Sequence, residues 1–322
     1  MTAPLGVILA GGLATRMGGG DKALLPLGDG TILNQVISRL SPQVGGMALN
    51  ANGDPSRFDA FGLPVLPDPL PDFPGPLVGV LAGLDWVHKE KGGDSFYFIG
   101  SDYIWPRTSN KIARKHIEKL GFEVVGEDYY PLGHTQFNSV INKIKLTKPD
   151  VIFTDVVGGS NVAFYKQLKA AGITGAKQFL LTLSVTEDEM LGVGGENFAG
   201  FYSSMKYFQS LDNENNKKFV AAFKAKYGPK AVIGDVTQAA YLGPWLWKMA
   251  VEKAGSFDVD KVAAASPGIE LKTAPEGYVK VHANHHLWSK ARIAQGQPDG
   301  TFKVVAESKD LIEPNPFPKG YQ

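Results

Sequence analysis

The sequence predicts an α/β fold in which parallel, Rossmann-like sheet layers are arranged in two lobes. Strand-like apolar runs alternate with helix-like segments over the first two-thirds of the chain, the pattern of parallel strands joined by crossover helices. At 322 residues the chain also exceeds the size at which one hydrophobic core keeps growing, so two lobes or two domains are expected. A change of texture past Phe201 adds a third indication.

Taken in order, apolar runs bounded by Gly, Pro and polar residues place strands at residues 6–10, 47–51, 96–100, 123–126, 151–154 and 178–183. Segments with apolar residues three and four apart place helices at 31–39, 78–89, 109–120, 137–145 and 160–171. Beyond Phe201 two longer amphipathic helices are expected at 213–226 and 238–253, and a short-stranded, Pro- and Gly-rich stretch from Pro275 onward.

Composition narrows the function. The 33 basic and 32 acidic residues leave a formal charge of +1, which argues against nucleic acid as a partner, because such binders concentrate basic charge. Cysteine is absent. That excludes disulfides, thiol nucleophiles and thiolate-bound metals, and leaves the redox compartment open. The start, Met1-Thr2-Ala3-Pro4, has no basic residue, and the apolar run Leu5 to Ala10 stops at Gly11 and Gly12. It reads as a buried strand and not as a secretory signal, so a cytoplasmic chain with no membrane insertion is expected.

The start of the chain carries a glycine-rich turn. Leu9-Ala10-Gly11-Gly12 follows a strand, Arg16-Met17-Gly18-Gly19 comes a few residues on, and Asp21-Lys22 leads into Leu24-Leu25-Pro26-Leu27. Glycines let backbone N–H groups approach phosphates, while Arg16 and Lys22 would offset their charge. The spacing is neither the dinucleotide fingerprint nor a P-loop. Leu49-Asn50-Ala51-Asn52, Leu66-Pro67-Asp68 and Phe73-Pro74-Gly75-Pro76-Leu77 follow in order. Together these motifs resemble the nucleotidyltransferases, most closely the molybdenum cofactor guanylyltransferases. The resemblance implies that Leu9, Ala10, Gly11, Gly12, Arg16 and Lys22 contact GTP phosphates, with Asn50 and Asp68 nearer base and ribose. It also implies Mg²⁺ held with GTP, and Asp102, in a strand-Asp-Pro setting, stands where that family has its metal-binding aspartate. Capping of the following helix is the other reading of Asp102.

The rest of the chain resembles a different family. Residues 1–87 contain a single lysine, Lys22, whereas His88-Lys89-Glu90-Lys91 opens a stretch rich in Lys, Asn and Tyr. The runs Tyr97-Phe98-Ile99-Gly100-Ser101-Asp102-Tyr103-Ile104-Trp105-Pro106, Lys148-Pro149-Asp150-Val151-Ile152-Phe153, Ser160-Asn161-Val162-Ala163-Phe164-Tyr165 and Pro314-Asn315-Pro316-Phe317-Pro318 resemble the type I periplasmic binding proteins for urea and short amides. These are substrate-binding components of ABC transporters. The resemblance implies a solute site at the carboxyl ends of strands, with Tyr103 and Trp105 stacking on or hydrogen-bonding an amide and Asp155 accepting from its N–H groups. Packing for the two aromatics, and a turn role for Asp155, are the alternatives.

The two resemblances imply a chimera: a nucleotidyltransferase-like half-domain over residues 1–90, joined to a type I periplasmic-binding-protein lobe over residues 91–322. The expected function is that of a fusion of partial domains without the complete activity of either parent, its larger part similar to the urea- and short-amide-binding component of an ABC transporter. A residual Mg²⁺-dependent, GTP-using guanylyltransferase is the alternative. GTP and a short amide are the expected small-molecule partners, with a transporter permease if the chain is exported, in which case the receptor-like part would be periplasmic. Three other constellations read as structural: His282, His285 and His286 as loop histidines, Tyr241, Trp245 and Trp247 as packing residues in the core or against the other lobe, and Glu187, Asp188 and Glu189 as a solvated helix start.

Overall fold

In a computed structural model of the chain, Leu5–Leu9 forms β1, the expected first strand, set one residue earlier. The structure describes residues 5–10, 22–51, 54–66, 84 and 93–315. The chain separates into two units, Met1–Phe73 and Pro74–Gln322, and the expected junction near residue 90 lies outside the described residues.

In the first unit β1 leads, by way of a 3-10 turn at Lys22–Leu24 and a two-residue hairpin, to α1 at Ile32–Leu40. Helix α1 starts where it does because Thr31 caps it. The Thr31 hydroxyl accepts from the Asn34 N–H at 3.2 Å while the Asn34 side chain accepts from the Thr31 N–H at 2.9 Å, a reciprocal pair contributing about 1 kcal/mol. Strand β2 (Gly46–Asn50) pairs in parallel with β1, and β3 (Val65–Leu66) pairs in parallel with β2. Ile8, Leu33, Leu49 and Phe58 are buried together in one core.

The second unit is built on a seven-stranded sheet. Its parallel strands are β4 (Ser95–Ser101), β5 (Glu123–Tyr130), β6 (Val151–Asp155), β7 (Phe179–Thr182) and β8 (Tyr202–Met205). They lie in the order β5-β4-β6-β7-β8. Helices α2 (Ile104–Lys119), α3 (Asn138–Thr147) and α4 (Ser160–Ala170) connect the first four of these strands. Side chains of β6 alternate between two cores. Ile152 packs with Phe137, Val140, Phe164 and Leu168 of the α3 and α4 side, whereas Val151 and Phe153 pack with Ala113 and Ile117 of α2. All five residues of β6 are buried, as a central strand in a sheet covered on both faces requires. Leu84, within the expected helix at 78–89, joins the α2 side.

After β7 come α5 (Glu187–Val193), the single turn α6 (Gly195–Phe198) and β8, then α7 (Glu214–Tyr227), α8 (Asp235–Ala254) and α9 (Val259–Ala265). Helix α8 begins three residues before the expected start and runs through Pro244. It packs through Leu242, Leu246 and Ala250 on a small antiparallel sheet of β9 (Glu270–Leu271), β10 (Val279–Val281) and β11 (Leu287–Trp288). The chain then returns to the large sheet, where β12 (Arg292–Gly296) pairs antiparallel with β8 and β13 (Phe302–Glu307) pairs antiparallel with β12.

Two sequence expectations are corrected. Helix α2 begins at Ile104, not after Pro106. A proline in the first helical turn loses no hydrogen bond, since those N–H groups have no intrahelical acceptor. Tyr241, Trp245 and Trp247 are not core: each keeps at least 40% of its surface exposed, because the inward stripe of α8 is formed by Gln238, Leu242, Leu246 and Ala250. Among the described residues no helix is long and apolar enough to cross a membrane.

Candidate functional site

Strands β4, β5 and β6 end side by side, with register pairs Gly100–Tyr129 and Gly100–Asp155. Asp155 closes β6 and is fully buried. It fits there because Gly100 has no side chain: a Cβ at that position would lie 2.8 Å from Asp155 Oδ1, 2.9 Å from Tyr129 Cε1 and 3.0 Å from Pro106 Cβ. Among the described residues neither Asp155 oxygen has a hydrogen-bond partner. Burial pushes its carboxyl well above the usual carboxylate range, the nearby charge of Glu127 adds to the rise, and Asn110 offsets part of it. The amide oxygen of Asn110 also lacks a partner among the described residues.

From Asp155 a polar chain leads outward. Asn110 donates from Nδ2 to the Tyr129 hydroxyl at 3.1 Å, the Tyr129 hydroxyl donates to Glu127, and Arg114 pairs with Glu127 at 2.5 Å. Burial and the Glu127 hydrogen bond raise the Tyr129 phenol above its ordinary range. Tyr103, the residue before α2, stands beside Asp155; burial and then the Asp155 charge raise its phenol too. The rings of Tyr103 and Trp105 are 6.2 Å apart. Both are partly exposed, and Trp105 packs against the core on the α2 side of the sheet.

The structure thus brings Tyr103 and Asp155 together and sets Trp105 beside Tyr103. Asp102 has different company. Its carboxylate accepts from Arg107 Nε at 2.7 Å, and the Arg107 guanidinium lies over the Tyr129 ring at 4.2 Å. Among the described residues no group of three His, Asp or Glu side chains is arranged to hold a metal. A carboxylate engaged by a guanidinium would have to exchange that partner before it could bind Mg²⁺. In the first unit, Leu9 and Asn50 are register partners at the carboxyl ends of β1 and β2, Ala10 follows β1, and Lys22 opens the 3-10 turn. Gly11, Gly12, Arg16 and Asp68 lie outside the described residues.

Sequence reasoning missed Gly100, Asn110 and Tyr129. The signal for Asn110 was present: Ser109 and Asn110 share the buried face of α2 with Ile112 and Ala113, and polar residues on an inward face call for partners. Starting the helix at residue 109 hid that pattern.

A second polar cluster lies where α5, α8 and the loop after β8 meet. Thr186 caps α5 through a reciprocal pair with Glu189, as the acidic helix start suggested. Glu187, however, is buried and not solvated, a correction forced by its hydrogen bond from the Gln209 N–H at 2.7 Å. Burial pushes its carboxyl up to about 8, and Asp188 and Asp235 add to the rise. Asp235, which accepts from the Tyr207 N–H at 3.0 Å, is pushed up to about 6 by burial, with Lys206 opposing and Glu276 reinforcing. Lys206 approaches Glu276 at 3.6 Å.

Residues 76–322 match the periplasmic binding protein domain family. The chain belongs to that family. The chain is similar in fold to an ABC transporter solute-binding protein of R. palustris in complex with 4-hydroxybenzoate (TM-score 0.70, 21% identity, 97% of this chain and 98% of that one). It is also similar to a leucine binding protein of Thermotoga maritima (TM-score 0.68, 15% identity, 95% and 98%). The front of this binding-protein chain carries a second match, to the MobA-like NTP transferase domain over residues 6–127. It is 61% identical over 135 residues to a molybdenum cofactor guanylyltransferase of Nitrobacter hamburgensis (39% of this chain, 64% of the relative). With the corresponding protein of Mesorhizobium japonicum it shares 60% over 82 residues (26% and 39%). The chain therefore spans less than two thirds of these curated relatives' length. It is a fusion of a segment similar to the MobA-like NTP transferase domain and a periplasmic-binding-protein domain.

Proposed function

We propose that the binding-protein part takes up a small neutral solute of the urea or short-amide class at the carboxyl ends of β4, β5 and β6. One observation carries the reading: Asp155, fully buried at the end of a central parallel strand, presents two oxygens without partners among the described residues. A carboxyl held toward its protonated form offers a donor and an acceptor side by side, which matches the acceptor and donor of a primary amide. It discriminates against carboxylate solutes, whose charge it cannot neutralise. Tyr103 and Trp105 would cover the planar solute. The test is thermal unfolding of the whole chain with acetamide or urea at low millimolar concentration, since a ligand bound only by the folded state raises the midpoint. A rise that Asp155→Ala abolishes supports the reading; no rise, or an equal rise in the variant, overturns it.

The identity to the guanylyltransferases favours a second activity for the first unit, binding of GTP. Leu9, Ala10, Gly11, Gly12, Arg16, Lys22, Asn50 and Asp68 are its proposed contacts, with Mg²⁺ carried in by the nucleotide. In the same assay Mg²⁺-GTP should raise a transition that Lys22→Ala lowers again, and indifference to the nucleotide would remove this reading.

A further inference from the structure

Helices α7 and α8 face each other across an open groove of about 710 Å³, a volume suited to a small molecule. Its walls are two aromatic stripes at helical spacing. Phe219, Phe223 and Tyr227 come from α7, and Tyr241 and Trp245 from α8. The stripes touch at one end, where the Phe219 and Tyr241 rings are 4.4 Å apart. Elsewhere they stand open, with Trp245 44% and Tyr227 61% exposed. No residue of this groove belongs to the Asp155 site.

The charge of the groove is one-sided. Lys218 and Lys226 line it and, among the described residues, no acidic one does. Neighbouring Lys217 is neutralised by Asp212 and Glu214, whereas Lys218 and Lys226 form no ion pair among the described residues. Eight residues of helix put them about 12 Å apart, one toward each end of the α7 stripe. The Lys226 ammonium already lies 5.4 Å from the centre of the Tyr227 ring. Exposed rings beside unneutralised ammonium groups complement a ligand that joins a flat apolar surface to a negative charge.

We propose that the groove between α7 and α8 binds a small aromatic carboxylate, its ring against Tyr241 and Trp245 and its carboxylate on Lys218 or Lys226. The test uses calorimetric titration of the full chain with 2-naphthoate, 2-naphthamide and 2-naphthylmethylamine, which share a ring system and differ in charge. The naphthoate is expected to bind about tenfold more tightly than the neutral amide, the scale of one hydrogen bond to a charged group, and the amine most weakly. The double variant Lys218→Ala, Lys226→Ala should erase the preference for the anion with the unfolding midpoint kept, since both lysines are exposed. Trp245→Ala should weaken naphthoate and naphthamide alike. Equal affinity for all three compounds, or naphthoate binding untouched by the lysine and tryptophan variants, would overturn the proposal, as would the absence of binding.

Discussion

Gly100 shows how one missing side chain creates a site. Its neighbours on three sides are the Asp155 carboxyl, the Tyr129 ring and Pro106, all within 3.0 Å of where a Cβ would stand. Asp155 and Pro106 are both buried, so neither can retreat freely. Gly100→Ala is therefore expected to destabilise the protein by about 1 to 3 kcal/mol, the range for overpacking a filled interior, and to displace Asp155. Chemical denaturation measures the first effect and the response to acetamide the second; a variant unchanged in both would mean that the strand ends are looser than described. Asp155 itself was legible in the sequence as an acid directly after an apolar strand. The rise of its carboxyl above the usual range was not, because that depends on burial and on Glu127, a residue distant in sequence.

At the scale of elements, the parallel strands and their crossover helices were readable because buried strands give unbroken apolar runs and amphipathic helices give a 3.6-residue period. Strands β8, β12 and β13 were not anticipated as partners. Two of them are antiparallel additions reached only after more than 80 intervening residues, and nothing local in Arg292–Gly296 announces pairing with Tyr202–Met205. Helix α5 carries a further consequence. Glu187 at its start and Asp235 at the start of α8 both have carboxyl groups pushed up, to about 8 and about 6. The folded chain binds those protons more tightly than the unfolded chain. The stability they contribute is fully present below the ordinary carboxylate range and is lost as pH rises through about 6 and then about 8. The unfolding midpoint should fall from mildly acidic to mildly alkaline pH, and Glu187→Gln, which keeps the acceptor for Gln209 N–H, should flatten the upper part of that fall. Parallel profiles for the two proteins would show that Glu187 ionises without cost.

At the scale of the whole molecule, the two units have separate cores, one around Leu33, Leu49 and Phe58 and others on either face of the large sheet. Units with their own cores are expected to melt independently to some degree, so that one midpoint does not describe the chain. Scanning calorimetry should resolve two transitions, with Mg²⁺-GTP moving one and acetamide the other. A single transition moved by both would show that the two units unfold as one. The fusion was visible in the sequence because each half retains its own motifs and the lysine content changes abruptly after Val87.

Strand β6 has one more consequence. It is paired on both sides, by β4 and β7, and buried over its full length. Solvent deuterons can reach its amides only when the sheet itself comes apart, so their uptake reports global opening and not local fraying. A single labelled peptide covering Val151–Asp155 would thus act as an internal gauge of how often the binding-protein unit opens completely, read by mass against the faster exchange of the strands at the sheet's edges.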